Sequence, residues 1–196
     1  MLWRNGDDSA GVGLMGSILE HILARRSIRR FEARSVSEEH LRMLLQAAMA
    51  APSASNRQPW EFLVITEAET LRRLRQRLVF GRYNAPAAIV VCGNMRRALP
   101  SLARDFWIQD CSAAAQNILL TATGLGLGGV WIGVHPLGPL VSAVSRLLAL
   151  PRHVVPLGVL YIGYPAEAKP PRTHYREDRV HWEAFGNHKP PNVVEE

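Results

Sequence analysis

The chain has 196 residues, 47% of them hydrophobic and 20% charged, which fits one substantial folded core and leaves too little length for two. A net charge of +6 and an isoelectric point near 10.0 suit anionic ligands, with nucleic acid among the candidates. The two cysteines, Cys92 and Cys111, lie in apolar surroundings without C-x-x-C spacing, which argues against a disulfide framework or a metal site and fits a reducing cytoplasm.

Residues 1–16 are mixed and glycine-bearing, with no basic start followed by an apolar run. They read as a flexible extension rather than a signal peptide, and Met15 is a candidate alternative start. Ile18, Ile22 and Leu23 recur at helical spacing, so a short first helix is expected to end at Arg25-Arg26-Ser27-Ile28-Arg29-Arg30-Phe31. Four guanidinium forks and a hydroxyl within six residues make a candidate phosphate clamp. The competing reading is a solvated helix end or a nucleic-acid patch.

Ser37 with Glu39 and His40 opens a second helix, whose apolar face is Leu41, Leu44, Leu45, Ala48 and Met49. It runs into Pro52-Ser53-Ala54-Ser55-Asn56-Arg57-Gln58-Pro59-Trp60. Neither helix nor strand passes through two prolines. The serine, asparagine and glutamine side chains between them both donate and accept, which suits reading the edge of a polar heterocycle.

Glu61 to Thr66 reads as a strand, Leu71, Leu74 and Leu78 mark a helix with an arginine-rich outer face, and Ala87 to Cys92 reads as a strand covered on both faces. Asp105 to Leu125 is the longest expected helix, and its Ala113-Ala114-Ala115 run would let another helix approach closely. Trp131 to Val134 and Leu157 to Tyr164 complete the strands, and after Pro165 the chain becomes proline-rich and basic, like an extended arm.

From Cys111 to Ser145 there is no Asp, Glu, Lys or Arg, a span long enough to cross a bilayer. Glycines at 124, 126, 128, 129 and 133, together with Gln116, Asn117, Pro136 and Pro139, favour a buried helix, a glycine turn, a buried strand and a loop. Gly124 to Gly129 also matches G-x-G-x-x-G literally. A dinucleotide fingerprint needs a strand before it and a helix after it, whereas here the order is reversed. His135 is either a pocket residue or a structural histidine; Trp60 and Phe62 read as core.

The run at 25–31, Pro-Ser-x-x-Asn-x-Gln-Pro-Trp-x-Phe at 52–62, Gly-Leu-Gly-Gly-Val-Trp-Ile-Gly at 126–133, and Ile-Gly-Tyr-Pro at 162–165 followed by Lys169, Arg172 and Val180-His181 stand in one order. Together they resemble the FMN-dependent nitroreductase family, in its short-chain form, from about Ile18 to about Phe185. Periodicity alone would also allow a doubly wound parallel fold. The resemblance implies instead an α+β three-layer sandwich, a central mixed β-sheet flanked by helices, formed by a single domain over 17–196. Its C-terminal arm would be exchanged in a homodimer, with the long helix in the dimer core.

The same resemblance implies FMN held by Arg25, Arg26, Ser27 and Arg29. Pro52, Ser53, Ala54 and Asn56 would reach it from the other subunit, Ile132 and Gly133 would pass the ring, and Arg172, or less so Lys169, would take the phosphate. Arg30 falls outside the pattern and is left to solvent. No side chain stands out as a general acid or base, so the chemistry is expected at N5 of the flavin. The implied activity is hydride transfer from NAD(P)H to nitroaromatic, quinone or similar electrophilic acceptors, one pocket serving both in a ping-pong cycle. The alternatives are a non-catalytic flavin-binding or sensor protein, and a flavin-consuming or dehalogenating relative. The short link from Phe80 to Ala98 leaves little room for the lid such relatives carry. A nucleic-acid binder would keep its arginines beside aromatics, and here few are. Neither nucleic acid nor a membrane is the expected partner.

Overall fold

The computed structural model describes residues 18–78 and 80–188; the expected extension at 1–16 lies outside them. Four strands, β1 (Trp60–Ile65), β2 (Ala87–Asn94), β3 (Gly128–Gly133) and β4 (Val154–Gly163), form one sheet in the order β1-β2-β4-β3. Every neighbouring pair is antiparallel. The mixed character expected of the sheet is confined to one isolated parallel bridge, Ser27 to Gly129.

Alternation along the central strands builds two cores. Ala87, Ile89 and Val91 of β2 with Leu160 and Ile162 of β4 face α2 (Glu38–Met49) and α4 (Phe106–Gly124). Ala88, Val90 and Cys92 with Val159 and Tyr161 face α3 (Ala68–Arg77) and α5 (Gly138–Leu147). All of β2 is buried, as its unbroken apolar run requires. The result is three layers, helix, sheet and helix.

Local chemistry sets the helix ends. Ser37 caps α2, its hydroxyl accepting from His40 N–H at 3.2 Å. Glu67 does the same for α3 through Glu69 N–H and Thr70 N–H. After α4, Gly126 takes φ +71° and turns the chain into β3. The helix that approaches the small face of α4 is α2, and Asn117 Nδ2 donates to Ala47 O across the contact at 2.9 Å.

One element differs from the sequence reading. After β3, where the sequence predicts a loop, the chain forms α5, with Pro139 in its first turn, where a missing N–H costs nothing. Leu140, Val141, Val144 and Leu147 supply its packed face. Helix α1 (residues 18–24) precedes the arginine run, and its Ile18, Leu19 and Ile22 are exposed. Met43, Met49 and Phe106 are exposed as well. Among the described residues no helix is long and apolar enough to cross a membrane.

Candidate functional site

The arginine run is held in an extended path between β3 and the segment after β4. Ile28 N–H donates to Gly129 O at 3.0 Å, Glu32 N–H to Tyr164 O at 2.9 Å, and Ala166 N–H to Arg30 O at 2.9 Å. One carboxylate fixes the centre of the run. Glu167 Oε1 accepts from Arg29 N–H at 2.6 Å and Arg30 N–H at 3.3 Å, and pairs with Lys169 Nζ at 3.0 Å. These bonds, the Arg29 amide first, hold its pKa down at about 2. Lys169 Nζ in turn donates to Ser27 O at 2.6 Å.

The cluster therefore divides. Arg26 donates from Nη1 to Pro170 O, which anchors one branch of its fork to the arm. Arg30 is exposed, with Nη2 at 3.5 Å from Ala166 O. Arg29 keeps its guanidinium near the Tyr83 ring, 6.0 Å from the centroid. Among the described residues the guanidinium groups of Arg25 and Arg172 have no partner. Arg172 N–H donates to Leu23 O at 3.1 Å, which brings its backbone beside the chain just before Arg25.

Arg29, Ile132 and Gly133 line one hollow of about 410 Å³ together with Leu78, Phe80, Tyr83, Val130, Trp131 and Leu140, a size that suits a small-molecule site. A Cβ placed on Gly133 would meet nothing within 4 Å, so a flat ring has access to the end of β3. Tyr83 and Leu140 escaped the sequence reading because no local motif marks them; the fold alone brings them to Arg29. Glu167 escaped it too, hidden among the prolines of the arm.

Pro52, Ser53 and Ala54 line a different hollow of about 340 Å³ with Phe106, Gln109, Asp110 and Ala113. Here the backbone is unusual: Ser55, Asn56 and Gln58 have φ of 49°, 51° and 48°. Non-glycine residues in this region store strain that surrounding contacts must hold. Asp110, buried in α4, accepts from Ala54 N–H at 2.9 Å, Ser53 Oγ accepts from Gln58 N–H at 3.0 Å, and Arg57 Nε donates to Arg97 O at 2.8 Å. A lone carboxylate at the head of an otherwise uncharged helix was the available signal for Asp110.

The register shows how far apart these halves stand. Ser27 bridges Gly129, which lies level with Ile162 and Ala87. The 52–59 turn leads into Trp60, which lies level with Gly93 and Val155. At about 3.3 Å per residue and 4.8 Å per strand, these diagonal corners are roughly 25–30 Å apart. Within one chain the sequence-predicted residues fall into two separate groups. His135 and Trp60 belong to neither. His135 packs edge-on to Trp107 with centroids 5.0 Å apart, and Trp60 is buried in the α2–α4 core.

Comparison with known proteins gives this architecture its class. The chain matches the Nitroreductase family over residues 22–80 and 78–164. It is 41% identical over 193 residues to a Methanothermobacter thermautotrophicus protein named "Putative NADH dehydrogenase/NAD(P)H nitroreductase", covering 94% of this chain and 99% of that one. The solved FMN-dependent nitroreductase of Clostridium difficile R20291 superposes with a TM-score of 0.78 at 31% identity, covering 85% of this chain and 99% of that chain. The NADPH:FMN oxidoreductase of Vibrio harveyi, solved with NAD+, gives 0.76 at 30% identity over 88% and 79%. The chain belongs to the nitroreductase family.

The residues present fit a flavin mononucleotide. The unpaired guanidinium groups of Arg25 and Arg172 suit a phosphate, and the Ser27 hydroxyl adds a donor. The Arg29 guanidinium, the open backbone at Gly133 and the apolar wall of Ile132 and Leu140 suit an electron-rich ring.

Proposed function

We propose that two copies of this chain build two FMN sites, each from the arginine run of one copy and the 52–56 turn of the other. The chain is an NAD(P)H-dependent oxidoreductase with FMN as its cofactor. When bound, FMN supplies the redox chemistry, accepting hydride from NAD(P)H and delivering it to a nitroaromatic, quinone or similar electrophilic acceptor. Arg25, Arg26, Ser27 and Arg172 hold the phosphate end. Arg29 places positive charge beside the ring, and Ile132 and Gly133 support its flat face. From the other copy, Pro52, Ser53, Ala54 and Asn56 close the edge of the same ring.

One observation carries this reading: the two sets of polar residues stand farther apart in one chain than a single flavin mononucleotide spans, yet Arg29 of one set and Ser53 of the other each line an open hollow. A second copy unites them. The exposed apolar residues of α1, α2 and α4, Ile18, Ile22, Met43, Met49 and Phe106, offer the surface for that contact. Because donor and acceptor use one open pocket in turn, ping-pong kinetics follow. A cytoplasmic setting fits two free, buried thiols, with burial pushing Cys92 up to about 12.

Purified protein is expected to be yellow and dimeric and to oxidise NADH or NADPH anaerobically in a stopped-flow mixer. A colourless monomer that rejects added FMN would overturn the proposal. A yellow dimer that leaves both nucleotides untouched would reduce it to flavin binding.

A further inference from the structure

The loop that borders the Arg29 hollow has a second side. Arg82, with Arg72, Arg75 and Gln76 of α3, lines a separate hollow of about 270 Å³. Three guanidinium groups around so small a space repel one another, and one carboxylate offsets them: Glu69 Oε1 accepts from Arg72 Nη2 at 2.5 Å and Oε2 accepts from Nε at 2.7 Å. Arg75 donates from Nη1 to Asn84 Oδ1 at 3.1 Å, and its remaining donors are free for another acceptor. Among the described residues the Arg82 guanidinium has no partner. Two forks and the Gln76 amide thus surround a space suited to a small anion.

The position of Arg82 ties this hollow to the redox site. Phe80 and Tyr83, on either side of it in sequence, both line the Arg29 hollow. From Phe80 to Tyr83 the chain extends at most about 11 Å. A dinucleotide whose nicotinamide enters the first hollow is therefore long enough for its other end to reach the second.

We propose that Arg82 and Arg75 bind the 2′-phosphate of NADPH, so that the chain prefers NADPH to NADH. This rests on the hydride-transfer reading above. The 2′-phosphate is a terminal dianion that only one of the two nucleotides carries, and it matches two planar donor forks. The pyrophosphate, which both nucleotides share, offers the same chemistry; discrimination between NADPH and NADH separates the two sources.

The test uses the FMN-loaded dimer and its Arg82→Ala, Arg82→Lys and Arg152→Ala variants. Steady-state oxidation of NADPH and NADH is measured, and adenosine 2′,5′-bisphosphate and adenosine 5′-monophosphate are titrated calorimetrically. Loss of a charge-assisted pair predicts that Arg82→Ala raises the KM for NADPH and the Kd of the bisphosphate at least about tenfold. The values for NADH and the monophosphate should stay within about twofold, and Arg82→Lys should retain part of the effect. Arg152→Ala, which removes an exposed charge elsewhere, should change neither. Equal losses for both nucleotides, or none, overturn the proposal. If the wild-type protein oxidises neither nucleotide, the hydride-transfer reading fails, and the titration still decides this site. Bisphosphate binding abolished by Arg82→Ala supports it; absent or unaffected binding overturns it.

Discussion

Ser27 pairs with Gly129 in a parallel bridge, and the amide of the next residue, Ile28, donates to the Gly129 carbonyl at 3.0 Å. That contact joins the arginine run to the edge of β3. It is close because of Gly128, where an added Cβ would stand 2.7–2.9 Å from the Ile28 side chain.

Gly128→Ala should therefore force Ile28 outward. Overpacking of this kind costs about 1–3 kcal/mol, so Tm should fall by several degrees and flavin affinity with it. Gly133→Ala makes the contrast: its Cβ meets no protein atom within 4 Å, so Tm should hold while FMN binds at least about tenfold more weakly, the methyl entering the space proposed for the ring. Paired thermal melts and fluorescence titrations of FMN check both. Equal Tm losses in the two variants would contradict the assignment.

The division within the arginine run predicts unequal effects from similar substitutions. Arg29→Ala should weaken FMN binding about 10- to 100-fold, as expected on losing a charge-assisted contact. Arg30→Ala, which removes an exposed side chain, should change it less than about twofold. Flavin-to-protein ratios after gel filtration are the measurement, and indistinguishable variants would refute the split.

How much of this was open to reading in the sequence depends on the range of the physics involved. The capping Ser37, the strand of Ala87 to Cys92, and the helix-then-strand order around Gly126 follow from local periodicity and caps. Helix α5 did not, because Pro136 and Pro139 mark a break as readily as a first turn. The arginine run and the 52–60 segment announced polar chemistry through their composition. What they could not reveal is position: Tyr83, Leu140, Asp110 and Glu167 meet their partners through strand register and the returning arm, and single sequences carry little trace of such long-range pairings.

A site shared between copies predicts complementation. Chains carrying Arg29→Ala and chains carrying Asn56→Ala each lack one half of every site. When the two are unfolded together and refolded, half of the dimers are mixed, and each mixed dimer regains one intact site. FMN binding should recover to about one quarter of wild-type sites by fluorescence titration. No recovery in mixtures verified as mixed dimers would place both halves in one chain.

Glu167 gives the acid behaviour a sign. Its carboxylate titrates at about 2 in the folded protein, against about 4.3 in an unfolded chain. The fold therefore binds fewer protons than the unfolded state in this window. The stabilisation is complete above about pH 4.3 and disappears as pH falls toward 2. Glu167→Gln should lower Tm at neutral pH and flatten its dependence across that window, with the two proteins converging near pH 2. Parallel melting curves for both proteins would show that the carboxylate contributes nothing there.

The distance between the arginine run and the 52–59 turn finally makes cofactor content a matter of mass action. In the proposed shared site neither half would saturate with flavin alone, so dilution that separates the copies should also release FMN. Linkage then works in reverse: added FMN tightens the association of the copies by the same free energy that association lends to FMN. On that proposal the flavin would act as the concentration gauge of its own enzyme.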